Sequence, residues 1–233
     1  MKVLLMNFSG NVGKSTLGRH LFAPRLNTDL ITIETINSDE GGENISAKQF
    51  DVLQDHLLRT DTAVVDVGAS NIEKFFQQLT QYKRSHRDFD YFVVPVVAER
   101  KQQTDTIATI DALAALGVSP KKIRVVFNKV EFDENGTPVQ DVFHAIFAYA
   151  EAEKKCTLKA DAIVYSNDIY EKIKGTGKTI DELVAQDEDE LRAKMREAKD
   201  DAEKDAISRL ILAGRLAESA KENLDAVYKV LFK

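Results

Sequence analysis

The sequence predicts an α/β fold, a mostly parallel twisted sheet with helices on both faces, continued by a C-terminal helical tail. Three observations carry the prediction. Short apolar runs, such as KVLL at residues 2–5, TAVVDV at 62–67 and YFVVPVV at 91–97, alternate with stretches whose apolar residues recur every three or four positions. Runs that apolar suit strands buried on both faces, as in a parallel sheet with helical cover. A glycine-bearing loop, SGNVGKST at residues 9–16, lies where the first run passes into the first helical stretch, and from Asp187 onward the pattern is helical and heavily charged.

The loop has the layout of a phosphate cradle. A buried strand enters it, Gly10 and Gly13 relax the backbone, and Lys14, Ser15 and Thr16 lead into a helix. Successive amide groups from Ser9 through Asn11 and Val12 can then turn inward on phosphate oxygens, and the helix adds the positive end of its dipole. Lys14 is placed to reach β- and γ-phosphates, Ser15 to ligate Mg²⁺ through its hydroxyl, and Thr16 to touch an α-phosphate. The strict spacing G-x-x-x-x-G-K-[ST] fails, because Phe8 stands six positions before Lys14.

The remaining elements follow in order. The first helix is expected from Lys14 to Phe22, ending before Pro24, which disfavours helix at the preceding residue. Leu30 to Ile36 reads as the second strand, with Glu34 as a carboxylate at its end, and SDEGGENIS after it as a loop. Ala47 to Leu58 has helical spacing. Thr62 to Val67 is a strand carrying Asp66, followed by Gly68. A carboxylate there is where an acid holds water in a Mg²⁺ shell, and Gly68 would let the backbone approach a γ-phosphate.

Tyr91 to Val97 is a strand in which Pro95 suggests an end or an irregularity. A helix over Thr104 to Leu116 and a strand over Lys122 to Val130 come next, then a turn, a helix over Val139 to Glu151 and a last strand over Asp161 to Tyr165. Residues 1–184 are thus expected to form a nucleotide-binding domain. Residues 185–233 form a helical extension, packed on that domain or on a partner subunit, in which Gly214 is an expected break.

Composition bounds the function. With 43% hydrophobic residues the chain can build a sizeable core. Its net charge of −6 argues against a basic nucleic-acid coat and leaves direct DNA contact open. The single cysteine, Cys156, excludes an intramolecular disulfide framework and suits a reducing cytoplasm. Met1 leads straight into the first strand, so no signal peptide is expected, and no apolar run is long enough to span a bilayer. The closing segment LDAVYKVLFK is amphipathic. Its polar face holds Asp225 and only two lysines, which argues against membrane attachment.

The loop SGNVGKS resembles the deviant phosphate loop K-G-G-x-x-G-K-[ST] of the ParA/MinD ATPases, with Phe8 at the signature lysine and Ser9 at the first glycine. The opening NFSGNVGKSTLGRHLFAPRL, with ITIETINSD and VVDVGAS, looks like the StbB plasmid stability proteins, a divergent branch of that group. The resemblance covers approximately residues 1–170, the branch chiefly the first 26. It implies ATP or ADP with Mg²⁺ held by Ser15 and Asp66, and catalytic roles for Lys14, Asp66 and Glu34. It places Asn128 at the base edge and Gly68 beside the γ-phosphate, and implies nucleotide-dependent switching in plasmid stability or transfer. It further implies a small DNA-binding partner protein of the same plasmid system and a nucleotide-dependent homodimer. Phe8, and Ile36 where the family has a second acid, put the dimer and fast hydrolysis in question, so a non-hydrolysing adaptor is the alternative. The run N-K-V-E at residues 128–131 is also similar to the guanine-reading N-K-x-D of GTPases, which keeps GTP open.

Overall fold

A computed structural model describes residues 1–33, 47–133 and 136–232. Glu34, Ile36 and the SDEGGENIS loop lie outside the described residues. Six strands form one parallel sheet in the order β2-β3-β1-β4-β5-β6: β1 Lys2–Leu5, β2 Leu30–Ile33, β3 Ala63–Val67, β4 Tyr91–Val96, β5 Ile123–Val130 and β6 Ile163–Tyr165. From β1 the chain passes to the edge strand β2, returns through β3 beside β1, then crosses to the other side for β4. The carboxyl end of β1 is therefore the point where strand order reverses, the usual place for a ligand crevice in such sheets.

Alternation within each strand supplies two cores. Val3 and Leu5 of β1 face one side, with Val64, Val93 and Val126; Leu4 and Met6 face the other, with Val65, Val94 and Val125. The second face is covered by α3 (Ala47–Arg59), α4 (Ile72–Gln81), α5 (Arg100–Ala115), α6 (Val139–Val142) and α7 (His144–Glu153). The first is covered by α1 (Lys14–Leu17), α2 (Ala23–Leu26), α8 (Ile169–Lys172), α9 (Ile180–Val184) and the C-terminal half of α11 (Asp201–Phe232). On α11, Ala217, Ala220, Leu224, Val227 and Leu231 form one buried stripe. The apolar face of LDAVYKVLFK is thus packed in the core, where Phe232 meets Phe22 and Tyr91, and is not presented to a membrane. Among the described residues no helix is long and apolar enough to cross a bilayer.

Four expectations are corrected. The first helical segment does not stop at Phe22 but runs on to Leu26 through a π-helical turn, Gly18–Phe22. The Ala23 amide reaches back to the Gly18 carbonyl, and Pro24 falls in the first turn of α2, where a missing amide costs least. Pro95 sits inside a central strand, paired with Val126. It is tolerated because β1 has left the ladder by then, its pairing with β4 ending at Leu5–Val93, and the Pro95 carbonyl instead accepts from Asn7 Nδ2 at 2.8 Å. The helix expected over Val139 to Glu151 is broken at Phe143 into α6 and α7.

Gly214, expected as a break, lies within uninterrupted α11; a Cβ there would stand 3.6 Å from the Leu183 carbonyl, an ordinary contact distance, where α11 lies beside α9. The tail bends instead at Ala198, whose extended backbone ends α10 (Glu188–Glu197). The arms of that bend are joined by Glu188, which accepts from Arg192 within α10 and from Arg215 Nη2 of α11 at 2.7 Å.

Candidate functional site

The loop after β1 is held open by a polar brace. Asn7 is buried; its amide donates to Thr106 Oγ1 as well as Pro95, and its Oδ1 accepts the Ser9 amide at 2.8 Å. Ser9 Oγ hydrogen-bonds Asp105 of α5, and the Phe8 amide donates to Thr109 Oγ1 at 3.0 Å. The Ser9 side chain is therefore turned into the helix layer. Phe8 stacks on Phe76, with ring centroids 5.5 Å apart.

Beyond the brace the backbone alternates in hand. Asn11 and Gly13 have φ of 58° and 84°, the kind of reversal that turns neighbouring amides to one side as an anion nest. Gly13 is doubly required, because a Cβ there would lie 2.1 Å from Asn128 Nδ2. Gly10 is exposed, and a Cβ there would meet nothing within 4 Å. Val12 is wholly buried, so its part in the loop is confined to the backbone.

Lys14 is only 7% exposed and curls back into its own loop, donating to the Ser9 carbonyl at 2.8 Å and the Asn7 carbonyl at 3.3 Å. Burial pulls its ammonium below the ordinary lysine range, and the nearby Asp66 charge opposes that shift. Asp66, 1% exposed on β3, hydrogen-bonds the hydroxyl of Ser15, which is exposed at the start of α1. Two segments separated by the whole β2–α3 excursion thus bring a hydroxyl and a carboxylate into contact beside a lysine. Gly68 packs on the end of β2, its amide donating to the Ile33 carbonyl at 3.1 Å.

A cavity of about 580 Å³ opens on this loop, within the usual range for small-molecule sites. Lys14, Ser15, Thr16, Gly68 and Asn128 line it. Asn128, 4% exposed, donates from Nδ2 to the Val12 carbonyl at 2.8 Å, so part of its amide braces the loop. Its direction is set by an irregularity in β5. Phe127 pairs with Ile163 and Val130 with Tyr165, three steps against two, and Lys129 takes a φ of 54°. Glu34 lies outside the described residues, so its relation to this cavity is not described.

The cavity has a second wall. It comes from Tyr165 to Lys174, with Tyr165, Ser166, Asn167 and Tyr170 facing the cavity. Burial raises the Tyr170 phenol to about 12, and its ring lies 5.9 Å from that of His20, which burial lowers to about 4. These two rings are consequently uncharged around neutral pH. The wall is tied to α11: Asn167 Nδ2 donates to Ser219 Oγ at 3.1 Å, the Tyr165 amide donates to Asn223 Oδ1 at 3.0 Å, and Asn223 Nδ2 donates to the Ile163 carbonyl at 2.9 Å.

No protein-family model matches the chain, and no curated protein matches it. Solved structures similar to it include apo McdA from Cyanothece, at 14% identity over 78% of this chain and 92% of that one, with a TM-score of 0.49. The cell-division protein MinD from Aquifex aeolicus is similar at 14% identity over 93% and 97%, TM-score 0.49, and pNOB8 ParA at 14% over 95% and 98%, TM-score 0.42.

Proposed function

We propose that the chain is a nucleotide-dependent switch that binds ATP or ADP with Mg²⁺ and hydrolyses ATP slowly. The observation that carries the reading is the meeting of Lys14, Ser15 and Asp66 at the turn of an αL-bearing loop into a helix, at the point where strand order reverses. The donor set suits Mg²⁺, which takes oxygen ligands, keeps several waters and relies on substrate phosphates for the rest. Ser15 would hold it directly and Asp66 through water; when bound, the ion neutralises charge building on the phosphate oxygens.

The residues of the chain would do the remainder. Lys14 exchanges two loop carbonyls for β- and γ-phosphate oxygens, an exchange of hydrogen-bond partners that also gives a buried ammonium a counter-charge. The amides from Gly10 to Gly13 cradle the phosphates, and Gly68 stands where loss of a γ-phosphate would be felt by the end of β2. Glu34 remains the candidate to orient water. Phe8, packed on Phe76, stands where the resemblance implies a signature lysine, which weighs against a nucleotide-dependent dimer and against fast hydrolysis.

By resemblance, the process served is plasmid stability or conjugative transfer in the cytoplasm, with a small DNA-binding protein as partner. We assign residues 1–184 to nucleotide binding and 185–233 to the helical extension.

The test is Mg²⁺-dependent binding and turnover of ATP, GTP and their diphosphates by the wild-type chain and Lys14→Ala. Micromolar ATP binding with slow turnover, both lost in the variant, is expected. Binding without turnover would convert the switch into an adaptor, a preference for GTP would reverse the choice of base, and absence of all nucleotide binding would overturn the reading.

A further inference from the structure

Beside the cavity lies a pair of rings, one of which, Tyr165, lines it. Phe132, just beyond β5, is 79% exposed, and Tyr165, at the end of β6, is 40% exposed. Their rings meet at 64° with centroids 6.4 Å apart. Large exposed rings leave apolar surface in water, and a pair of them beside a ligand-sized cavity marks surface that is free to be covered by a ligand.

Tyr165 lines the same continuous cavity as Lys14 and Ser15. Its backbone amide donates to Asn223 and its ring is flanked by that of Phe132. The chemistry that matches an aromatic face, at a polar cavity whose other residues suit phosphate, is a planar heteroaromatic ring joined to a phosphate chain.

We propose that Tyr165, steadied edge-on by Phe132, is the stacking platform for the base of the bound nucleotide, an assignment that rests on the phosphate-site reading above. Such a platform contributes affinity without choosing among bases, because every base presents a π-face. Adenine and guanine are held alike by it, and discrimination between them falls to other groups.

The experiment compares Mg·ATP, Mg·GTP and inorganic tripolyphosphate, which carries the phosphate chain without a base, on wild type, Tyr165→Ala, Tyr165→Phe and Tyr165→Trp. Removing the ring should weaken ATP and GTP by a similar factor, about tenfold, and leave tripolyphosphate unchanged, which also shows that the variant is folded. Tyr165→Phe should bind as wild type does. The chain contains no tryptophan, so Tyr165→Trp supplies a single indole whose fluorescence ATP should quench and tripolyphosphate should not.

Equal binding of ATP and tripolyphosphate by wild type would overturn the platform and spare the phosphate site. Parallel loss of both ligands in Tyr165→Ala, or ATP affinity unchanged in it, would also overturn the platform. Binding of none of the three by wild type would sink the phosphate site and the platform together.

Discussion

Gly13→Ala tests the coupling between the phosphate loop and β5. An alanine there must adopt a φ of 84°, which costs about 1–2 kcal/mol for an L-residue. Its Cβ would also stand 2.1 Å from Asn128 Nδ2, a separation that real contacts do not reach. Asn128 is buried and can yield only by surrendering its bond to the Val12 carbonyl, leaving a buried acceptor unpaired at about 1–3 kcal/mol. The total is about 2–5 kcal/mol, or roughly 5–15 °C in melting temperature for a chain of this size. Asn128→Ala already loses the same bond, so in that background Gly13→Ala should cost only the backbone part. A double-mutant cycle by urea unfolding, without nucleotide, is therefore expected to show a coupling of about 1–3 kcal/mol. An equal cost of Gly13→Ala in both backgrounds would refute the contact as the reason for the glycine.

Two further outcomes concern protonation. Lys14 has a folded-state pKa below its unfolded value of 10.5, so between those two values the unfolded chain binds more protons and stability contributed by this site rises with pH. The stability of wild type relative to Lys14→Met, measured without ligand, should be flat below the folded value and shift in favour of wild type as pH climbs to 10.5. Glu188 is lowered from 4.5 to about 2, first by its bond from Arg215 and then by that from Arg192. Its contribution should be complete above pH 4.5 and vanish as pH falls through about 2, read as the difference between wild type and Glu188→Gln in amide exchange along α10.

What was legible in the sequence was what lies contiguously in it. Strand runs such as AVVDV and IRVVFN stand out because burial on both faces demands unbroken apolar residues, and the loop from Gly10 to Thr16 is a single stretch whose residue types follow from the phosphate it would hold. The misreadings share a cause: the deciding partner is elsewhere in the chain. Pro95 was judged by its lost amide, while its tolerance depends on β1 ending early and Asn7 arriving in its place. Gly214 was judged by helix propensity, while α11 runs through it unbroken, packed beside α9 at the Leu183 carbonyl. Asn128 was not misread but read incompletely: besides the base edge that the resemblance implies for it, it donates to the Val12 carbonyl, beside an irregularity at Lys129 that no local pattern announces. Phe132 and Tyr165 meet only because β5 and β6 are neighbours in the sheet.

The side-chain amide of Asn223 accepts from the Tyr165 amide and donates to the Ile163 carbonyl, the two bonds that the N–H and C=O of one residue of a seventh parallel strand would make. A helix has thereby been geared to the rim of the sheet by a tooth set beside the Asn167–Ser219 bond and the buried apolar stripe of α11. Sliding or rolling α11 past β6 would break both bonds at once, so a displacement of the cavity wall has to carry the helix with it as a stiff rod. From Asn223 to Asp201 the rod measures about 33 Å at 1.5 Å per residue. A tilt of about 5° at the tooth would therefore swing its free end, and the α10 arm clasped to it by Glu188, through about 3 Å. The Asn223 carboxamide is one of the contacts, with the Asn167–Ser219 bond, through which the cavity wall grips the tail.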